Sequence, residues 1–383
     1  MDITDIKTIA VIGAGDMGHG IAEVALMAGY KVYLRDIKQE FVDRGVTRIM
    51  ESLEKLVSKG KVAADHFEKI KSELLVPCIE IKDAVETADL IIEAIPEIMA
   101  LKKETFEAVE KYAPEHAIIG SNTSTMKISE LAAVVKRPEK FLGLHYFNPA
   151  VIMKLVEVIR GDKTSDETMQ IGYDFVLKNS KVAVRVEKDA PGFIVNRVQA
   201  PAGILLGCIL DQKIAEPEEV DALMHKLGSP MGPFEVMDFT GLDVSVNGAD
   251  YFAKVIHPDF KAGKTITDLV NAGNLGKKTG QGIYDWSNGR PVIDLEKATD
   301  KMDPMDLVAV NANEATKIVE QGICSLEDVD TAIINATGNV FGLIAMVKGI
   351  EPADLTARLE KLADHFGKEI FKPTAMIKNG GYR

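Results

Sequence analysis

Along the first half of the chain, apolar residues come in short β-rich runs separated by stretches of helical spacing. Residues 7–12 (KTIAVI), 31–36 (KVYLRD), 88–95 (ADLIIEAI), 117–120 and 181–186 (KVAVRV) read as strands. The near-continuous apolar character of 7–12 and 88–95 predicts burial on both faces of a sheet. Between the strands, Ile21, Val24, Ala25 and Ala28 recur at helical spacing, and longer patterns cover 38–60, 64–72, 101–112, 128–134 and 166–178. Residues 141–159 (FLGLHYFNPAVIMKLVEVI) form two strand-like runs about a polar bend at Asn148 and Pro149, where the chain is expected to reverse. Pro191 and Gly192 end the strand pattern, and the remainder reads as almost wholly helical. Divisions are expected at 1–188, 189–295 and 296–383. Residues 214–224 (IAEPEEVDALM) are echoed by 323–333 (ICSLEDVDTAI), and each copy is followed by a glycine, Gly228 or Gly338. The echo predicts two helical units of one design, packed about a pseudo-twofold axis like a dimer fused into one chain.

The first strand runs into GAGDMG, with Gly13, Gly15 and Gly18 at the G-x-G-x-x-G spacing and Asp16 and Met17 between them. Gly13 permits a tight turn, Gly15 lets backbone approach a pyrophosphate, and Gly18 lets helix and strand pack closely. The amino terminus of the following helix offers N–H groups and a positive dipole to phosphates. Asp36, ending the second strand, is placed to accept from both adenosine ribose hydroxyls. Its charge opposes a 2′-phosphate and so favours NAD over NADP, although Arg35 beside it could accommodate that phosphate. The expected fold is therefore a Rossmann-like, doubly wound α/β NAD-binding domain followed by an all-α region with two repeated helical units.

Ligands of such sheets lie beyond the strand carboxyl ends. That rule picks out Glu97 and Lys102 after the 88–95 strand, and the polar run Ser121, Asn122, Thr123 and Ser124 after the 117–120 strand. The polar run also suits an ordinary helix cap. In the reversed segment, His145 on one run and Glu157 on the other fall within hydrogen-bond reach if the runs pair antiparallel. Glu157 alternates with Leu155 and Ile159, so its carboxylate lies on an apolar face and needs a partner. Two readings stay open: a structural ion pair, or a general acid–base in which Glu157 fixes the imidazole tautomer and the other nitrogen moves a proton. Asn196 lies in the first turns of the helix after Pro191, where it caps, packs or faces a ligand. Lys55, Lys59 and Lys61 fit a solvated face or the phosphates of a large anionic ligand.

The totals narrow the partners. At 383 residues, two or three domains are expected, and 46% hydrophobic with 27% charged residues fits a globular chain. A formal net charge of −13 argues against general nucleic-acid or anionic-membrane binding. Cys78, Cys208 and Cys324 are odd in number and far apart, which points to a reducing cytoplasm without structural disulfides or a zinc site. The acidic start MDITDIK runs straight into a strand, without the features of a secretory or transit peptide.

Taken together, GAGDMGHGIA, SNTS, HYFNPAVIMKLVEVI, PGFIVNR, PMGPFEVMDFTGLD and LGKKTGQGIYDW resemble the L-3-hydroxyacyl-CoA dehydrogenases, 3-hydroxybutyryl-CoA dehydrogenases among them, over nearly all of residues 6–290. The resemblance implies an acyl-CoA substrate, NAD, and His145 as catalytic base with Glu157 as its partner. It also implies that Ser124, Asn148 and Asn196 hold substrate oxygens, while Asp36, Glu97, Lys102 and Asn122 line the cofactor. The extra region after about Pro291 is similar to the duplicated helical arrangement of multifunctional fatty-acid oxidation enzymes, without their hydratase domain. It implies a monomer with an internal pseudo-dimer, or a homodimer. The rival readings are a 3-hydroxyacid dehydrogenase acting on a substrate without CoA, and a non-catalytic NAD-binding relative.

Overall fold

The computed structural model describes residues 2–338 and 340–383. In chain order the first part runs β1 (Thr8–Ile12), α1 (Gly18–Met27), β2 (Lys31–Arg35), α2 (Gln39–Ser58), α3 (Ala64–Lys69), β3 (Leu75–Cys78), α4 (Ile81–Val85), β4 (Leu90–Glu93), α5 (Met99–Tyr112), β5 (Ile118–Ser121), α6 (Ile128–Ala132), β6 (Phe141–Tyr146), β7 (Leu155–Arg160), α7 (Asp166–Lys178) and β8 (Val182–Val186). The second part is helical: α8 (Val195–Asp211), α9 (Pro217–Lys226), α10 (Pro233–Thr240), α11 (Leu242–Val255), α12 (Lys264–Asn271), α13 (Pro304–Glu320), α14 (Leu326–Thr337), α15 (Leu343–Val347), α16 (Pro352–Phe366) and α17 (Ala375–Asn379).

The chain groups into two units: residues up to 194 with 322–340, and 195–321 with 341–383. This differs from the expected divisions at 188 and 295. The echoed segments are also parted, because α9 belongs to the second unit while α14 packs on β7 and β8 of the first. Both helices start with a capping box, Glu216 with Glu219 and Ser325 with Asp328.

In the first unit, eight strands form one sheet in the order β3-β2-β1-β4-β5-β6-β7-β8. Pairing is parallel except between β6 and β7, where the chain reverses. Strand order turns back on itself between β1 and β4, so the carboxyl ends of β1, β4, β5 and β6 lie side by side around the crevice where such sheets bind ligands. β4, β5 and β6 are buried throughout, as their unbroken apolar runs require. Two elements were not anticipated, β3 and α4. Pro77 within LLVPC argues against a strand, but β3 is the sheet's edge, where a missing N–H is tolerated.

The second unit explains the LGKKTGQGIYDW motif as a structural knot. Asp238 is buried and accepts from the backbone N–H of Ile283 (2.9 Å) and Tyr284 (2.8 Å) and from Trp286 Nε1 (2.9 Å). A Cβ at Gly276 or Gly282 would come within 2.2 Å of Asp238 atoms, so both glycines are required by this approach. Asp221 makes a similar hub for Phe234, Glu235 and the Tyr284 hydroxyl. Buried Arg197 on α8 pairs with buried Glu314 on α13 at 2.5 Å, joining the two long helices of the unit. Among the described residues, no helix is long and apolar enough to cross a membrane, and no His, Cys, Asp and Glu cluster is arranged to hold a metal ion.

Candidate active site

The turn after β1 is built by contacts that only glycine allows. Gly13 has φ +108°, and a Cβ there would lie 2.5 Å from the Ala94 carbonyl oxygen beyond β4. At Gly18 a Cβ would lie 1.8 Å from the Gly13 carbonyl oxygen, so helix α1 can start where it does only without a side chain. Gly15, between them, faces open space: nothing lies within 4 Å of where its Cβ would be. A tight turn, a closely docked helix and an open backbone between them are what a pyrophosphate needs.

Asp36 follows β2 and accepts from the Ala14 N–H (2.8 Å) and the Ile37 N–H (2.7 Å), which ties the glycine turn to the acid that would meet a ribose. Asp16 is exposed and pairs with Arg48 of α2 at 2.5 Å, while Met17 is half-buried just before α1.

At the ends of β4 and β5 lies a buried charge network that the sequence reading only partly saw. Lys102 is 1% exposed. Its ammonium donates to Glu93 (2.6 Å) and the Ile95 carbonyl (3.3 Å) and pairs with Glu97 at 3.2 Å. Glu93 also accepts from the Ser121 hydroxyl at 2.7 Å. Lys102 thus lies buried between Glu93 and Glu97 rather than exposed at the strand ends. Glu97 in turn accepts from the Thr123 hydroxyl (2.5 Å), the Ser124 N–H (3.0 Å) and the Thr125 N–H (3.2 Å), which fixes the SNTS loop. Burial works to raise the Glu97 carboxyl, but Lys102 and the loop hydroxyls outweigh it and hold the group below its ordinary range. Glu93 was missed because an acid closing an apolar strand (LIIE) gives no local sign of its partner.

Asn122 turns its side-chain oxygen to the Tyr146 N–H at 2.8 Å, so the end of β5 pins the residue next to His145. His145 and Glu157 face each other across the antiparallel pair β6 and β7. The ring Nδ1 lies 2.6 Å from Glu157 Oε2, and the other carboxylate oxygen accepts from the Ile194 N–H at 3.0 Å. Glu157 is fully buried and His145 is 5% exposed. Phe147 and Phe193 flank the imidazole, with ring centres at 4.5 and 5.7 Å. Among the described residues, no protein hydrogen bond engages Nε2. With a carboxylate on Nδ1, that nitrogen carries the hydrogen and Nε2 presents a lone pair.

Asn148 is exposed at the turn after β6, and its bond to Pro149 is cis. Ser124 lies in the loop after β5. Asn196 is half-buried in the first turn of α8 and belongs to the second unit. Lys55, Lys59 and Lys61 are exposed at and beyond the end of α2.

The chain is similar in sequence and fold to known proteins. Residues 8–190 match the family model described as 3-hydroxyacyl-CoA dehydrogenase, NAD binding domain, and residues 192–286 match that of the C-terminal domain. The chain is 39% identical over 290 residues to a probable 3-hydroxybutyryl-CoA dehydrogenase of Bacillus subtilis, covering 74% of this chain and 98% of that protein. It is 39% identical over 305 residues to the 3-hydroxyadipyl-CoA dehydrogenase of Escherichia coli, covering 79% of this chain but 64% of that one. It spans about half (49%) of a fatty acid oxidation complex subunit alpha from Psychrobacter cryohalolentis, at 36% identity and with 87% of this chain covered. Among solved structures, 3-hydroxybutyryl-CoA dehydrogenase from Escherichia coli K12 superposes with a TM-score of 0.90 at 29% identity, covering 99% of this chain and 100% of that one. The glycine turn, the acid after β2 and both matched domains lead to one conclusion: the chain belongs to the 3-hydroxyacyl-CoA dehydrogenase family.

Proposed function

We propose that the protein oxidises L-3-hydroxyacyl-CoA to 3-ketoacyl-CoA, reversibly, with NAD, and that His145 is the base. The observation that carries this reading is the 2.6 Å contact between His145 Nδ1 and buried Glu157, at the carboxyl end of a sheet whose first turn is shaped for a dinucleotide. Gly13, Gly15 and Gly18 would hold the pyrophosphate and Asp36 the ribose hydroxyls, with Glu97 and Asn122 lining the remainder and Lys102 behind Glu97. NAD supplies the acceptor for the hydride that leaves C3. His145 Nε2 takes the hydroxyl proton, and Glu157 stabilises the imidazolium that forms, as a carboxylate does in hydrolytic triads. Ser124, Asn148 and Asn196 would orient the substrate oxygens, a task in which small misplacements cost large factors in rate.

We further read the helical segments on either side of residue 295 as related units, supported by the matching capping boxes of α9 and α14. We read the compartment as a reducing one such as the cytoplasm, from three cysteines, Cys78, Cys208 and Cys324, odd in number and far apart in sequence. The test is a rate profile on 3-hydroxyacyl-CoA substrates from four to sixteen carbons, with NAD and NADP, beside the same acids without CoA. Turnover that requires CoA and NAD and vanishes in His145→Gln supports the reading. Turnover of the free acids alone would replace it.

A further inference from the structure

The turn between β6 and β7, residues 148–154, carries Asn148 and is poorly held by packing. Asn148, Pro149, Ile152 and Lys154 are exposed, and of the turn's side chains only Ala150 is buried. Pro149 O accepts from the Ile152 and Met153 N–H groups, which makes one helical turn whose later carbonyls have no helix to continue into. Those carbonyls converge on one side chain. Lys181, just ahead of β8, donates from Nζ to the carbonyls of Ala150 (2.6 Å), Met153 (2.7 Å) and Val151 (3.2 Å), which accounts for all three of its protons.

Glu23 of α1, the helix of the glycine motif, is close enough for its charge to act on this ammonium. Glu23 on α1 is 1% exposed; one of its oxygens accepts from Ser52 at 2.6 Å and the other is buried without a hydrogen-bond partner. Burial lowers Lys181 to about 8, and Glu23 is the charge that opposes the fall. On the same helix a Cβ at Gly20 would lie 3.1 Å from Ala150 Cβ, so the turn also rests directly on α1.

We propose that Lys181 is a positioning residue that ties the Asn148 turn to the start of β8, while Ala150 seats the same turn on the helix of the cofactor motif, and so sets where Asn148 meets the substrate. It touches neither substrate nor cofactor and acts through the three carbonyls. The inference rests on the dehydrogenase reading for its catalytic consequence, but the anchoring itself is measurable without turnover.

The test compares the full-length wild type with Lys181→Met and Lys181→Arg, by steady-state kinetics on a 3-hydroxyacyl-CoA, NADH binding by fluorescence, and hydrogen exchange of peptides covering 147–154. In Lys181→Met, kcat is expected to fall about 10- to 100-fold, the range for a slight displacement of a substrate-orienting group. Affinity for NADH stays within about twofold of wild type, and exchange in 147–154 quickens. Lys181→Arg, which keeps the charge and the donors, recovers part of the loss. A merely structural lysine would lower the fraction of active protein and leave kcat per active site and KM unchanged, and that result overturns the proposal. Should Lys181→Met not fold, Gly20→Ala pushes on the same turn from the other side: kcat falls and Ala150→Gly in the same chain restores it. Failure of that rescue also counts against the anchor. If the wild type turns over no acyl-CoA, the dehydrogenase reading fails, and exchange alone decides: unchanged exchange in Lys181→Met overturns the anchor, quickened exchange supports it.

Discussion

Glu157→Gln keeps the volume and polarity of a buried side chain but removes one of its acceptors. In the native site one carboxylate oxygen faces His145 Nδ1 at 2.6 Å and the other faces the Ile194 N–H at 3.0 Å. An amide has one acceptor oxygen, and the Ile194 N–H is a backbone donor that cannot turn away. The amide oxygen therefore goes to Ile194, and the NH2 group faces Nδ1. That nitrogen must then accept, the ring proton moves to Nε2, and the lone pair that would take the substrate proton is gone. General acid–base assistance is worth about 10² to 10⁴ in rate, and a histidine held in the wrong tautomer in hydrolytic triads loses about 10⁴. We expect a fall of roughly 10³-fold or more in kcat, equivalent to about 4 kcal/mol of barrier at 1.36 kcal/mol per decade. NADH formation at saturating substrate measures it, with NADH binding and thermal unfolding as controls that stay close to wild type. A variant that keeps kcat within threefold of wild type, while folded and binding NADH, would refute the tautomer argument and the dyad with it.

Three further expectations follow from contacts described above. Lys102→Met strands Glu93 and Glu97 without their cation, and removing one partner of a buried ion pair costs about 3–5 kcal/mol, read as a lower midpoint in urea; an unchanged midpoint contradicts the network. Gly18→Ala places a methyl 1.8 Å from the Gly13 carbonyl oxygen, so NAD affinity should drop by about 100-fold or the chain should fail to fold, and calorimetric titration with NAD distinguishes either from wild type. Glu23 is pushed up to about 7 by burial, against an ordinary 4.5, so between those values the folded state binds more protons than the unfolded one and stability falls as pH rises. Glu23→Gln removes that slope, worth up to ~3 kcal/mol over the interval; parallel stability curves for the two proteins from pH 5 to 7.5 would speak against it.

Much of this site was written in local pattern. The glycine turn follows from spacing, because Gly18 answers a contact with Gly13 inside one β-turn-α unit and Gly15 must stay bare, although the Ala94 carbonyl that also crowds Gly13 comes from beyond β4. The His145–Glu157 pairing follows from strand alternation and a single reversal, since residues that face each other across an antiparallel pair are fixed by register. What local pattern could not carry was anything set by residues far apart in sequence. Lys102 read as a ligand-facing lysine because its partner Glu93 hides at the end of an apolar strand, and Lys181 read as the plain start of β8. Ile194 holds Glu157 through its backbone, which no side-chain pattern reports. The edge strand β3 was obscured by Pro77, whose cost depends on where in the sheet the strand lies. The grouping of 322–340 with the first unit likewise depends on packing, and helical periodicity says nothing of which surface a helix covers.

That late return of the chain bears on how it tolerates cutting. β8 is the last strand of the sheet, the Glu187 N–H just past it donates to the Ile323 carbonyl at 2.7 Å, and α14 lies over β7 and β8. Buried Cys324 sits near enough for the Glu157 charge to act on it. A fragment trimmed at residue 290, although it would retain every predicted catalytic and cofactor residue, would uncover the part of β8 and of β7, the strand bearing the acid, that α14 packs on. For this protein, the smallest piece holding all the proposed chemistry is therefore smaller than the smallest piece that keeps that chemistry dry.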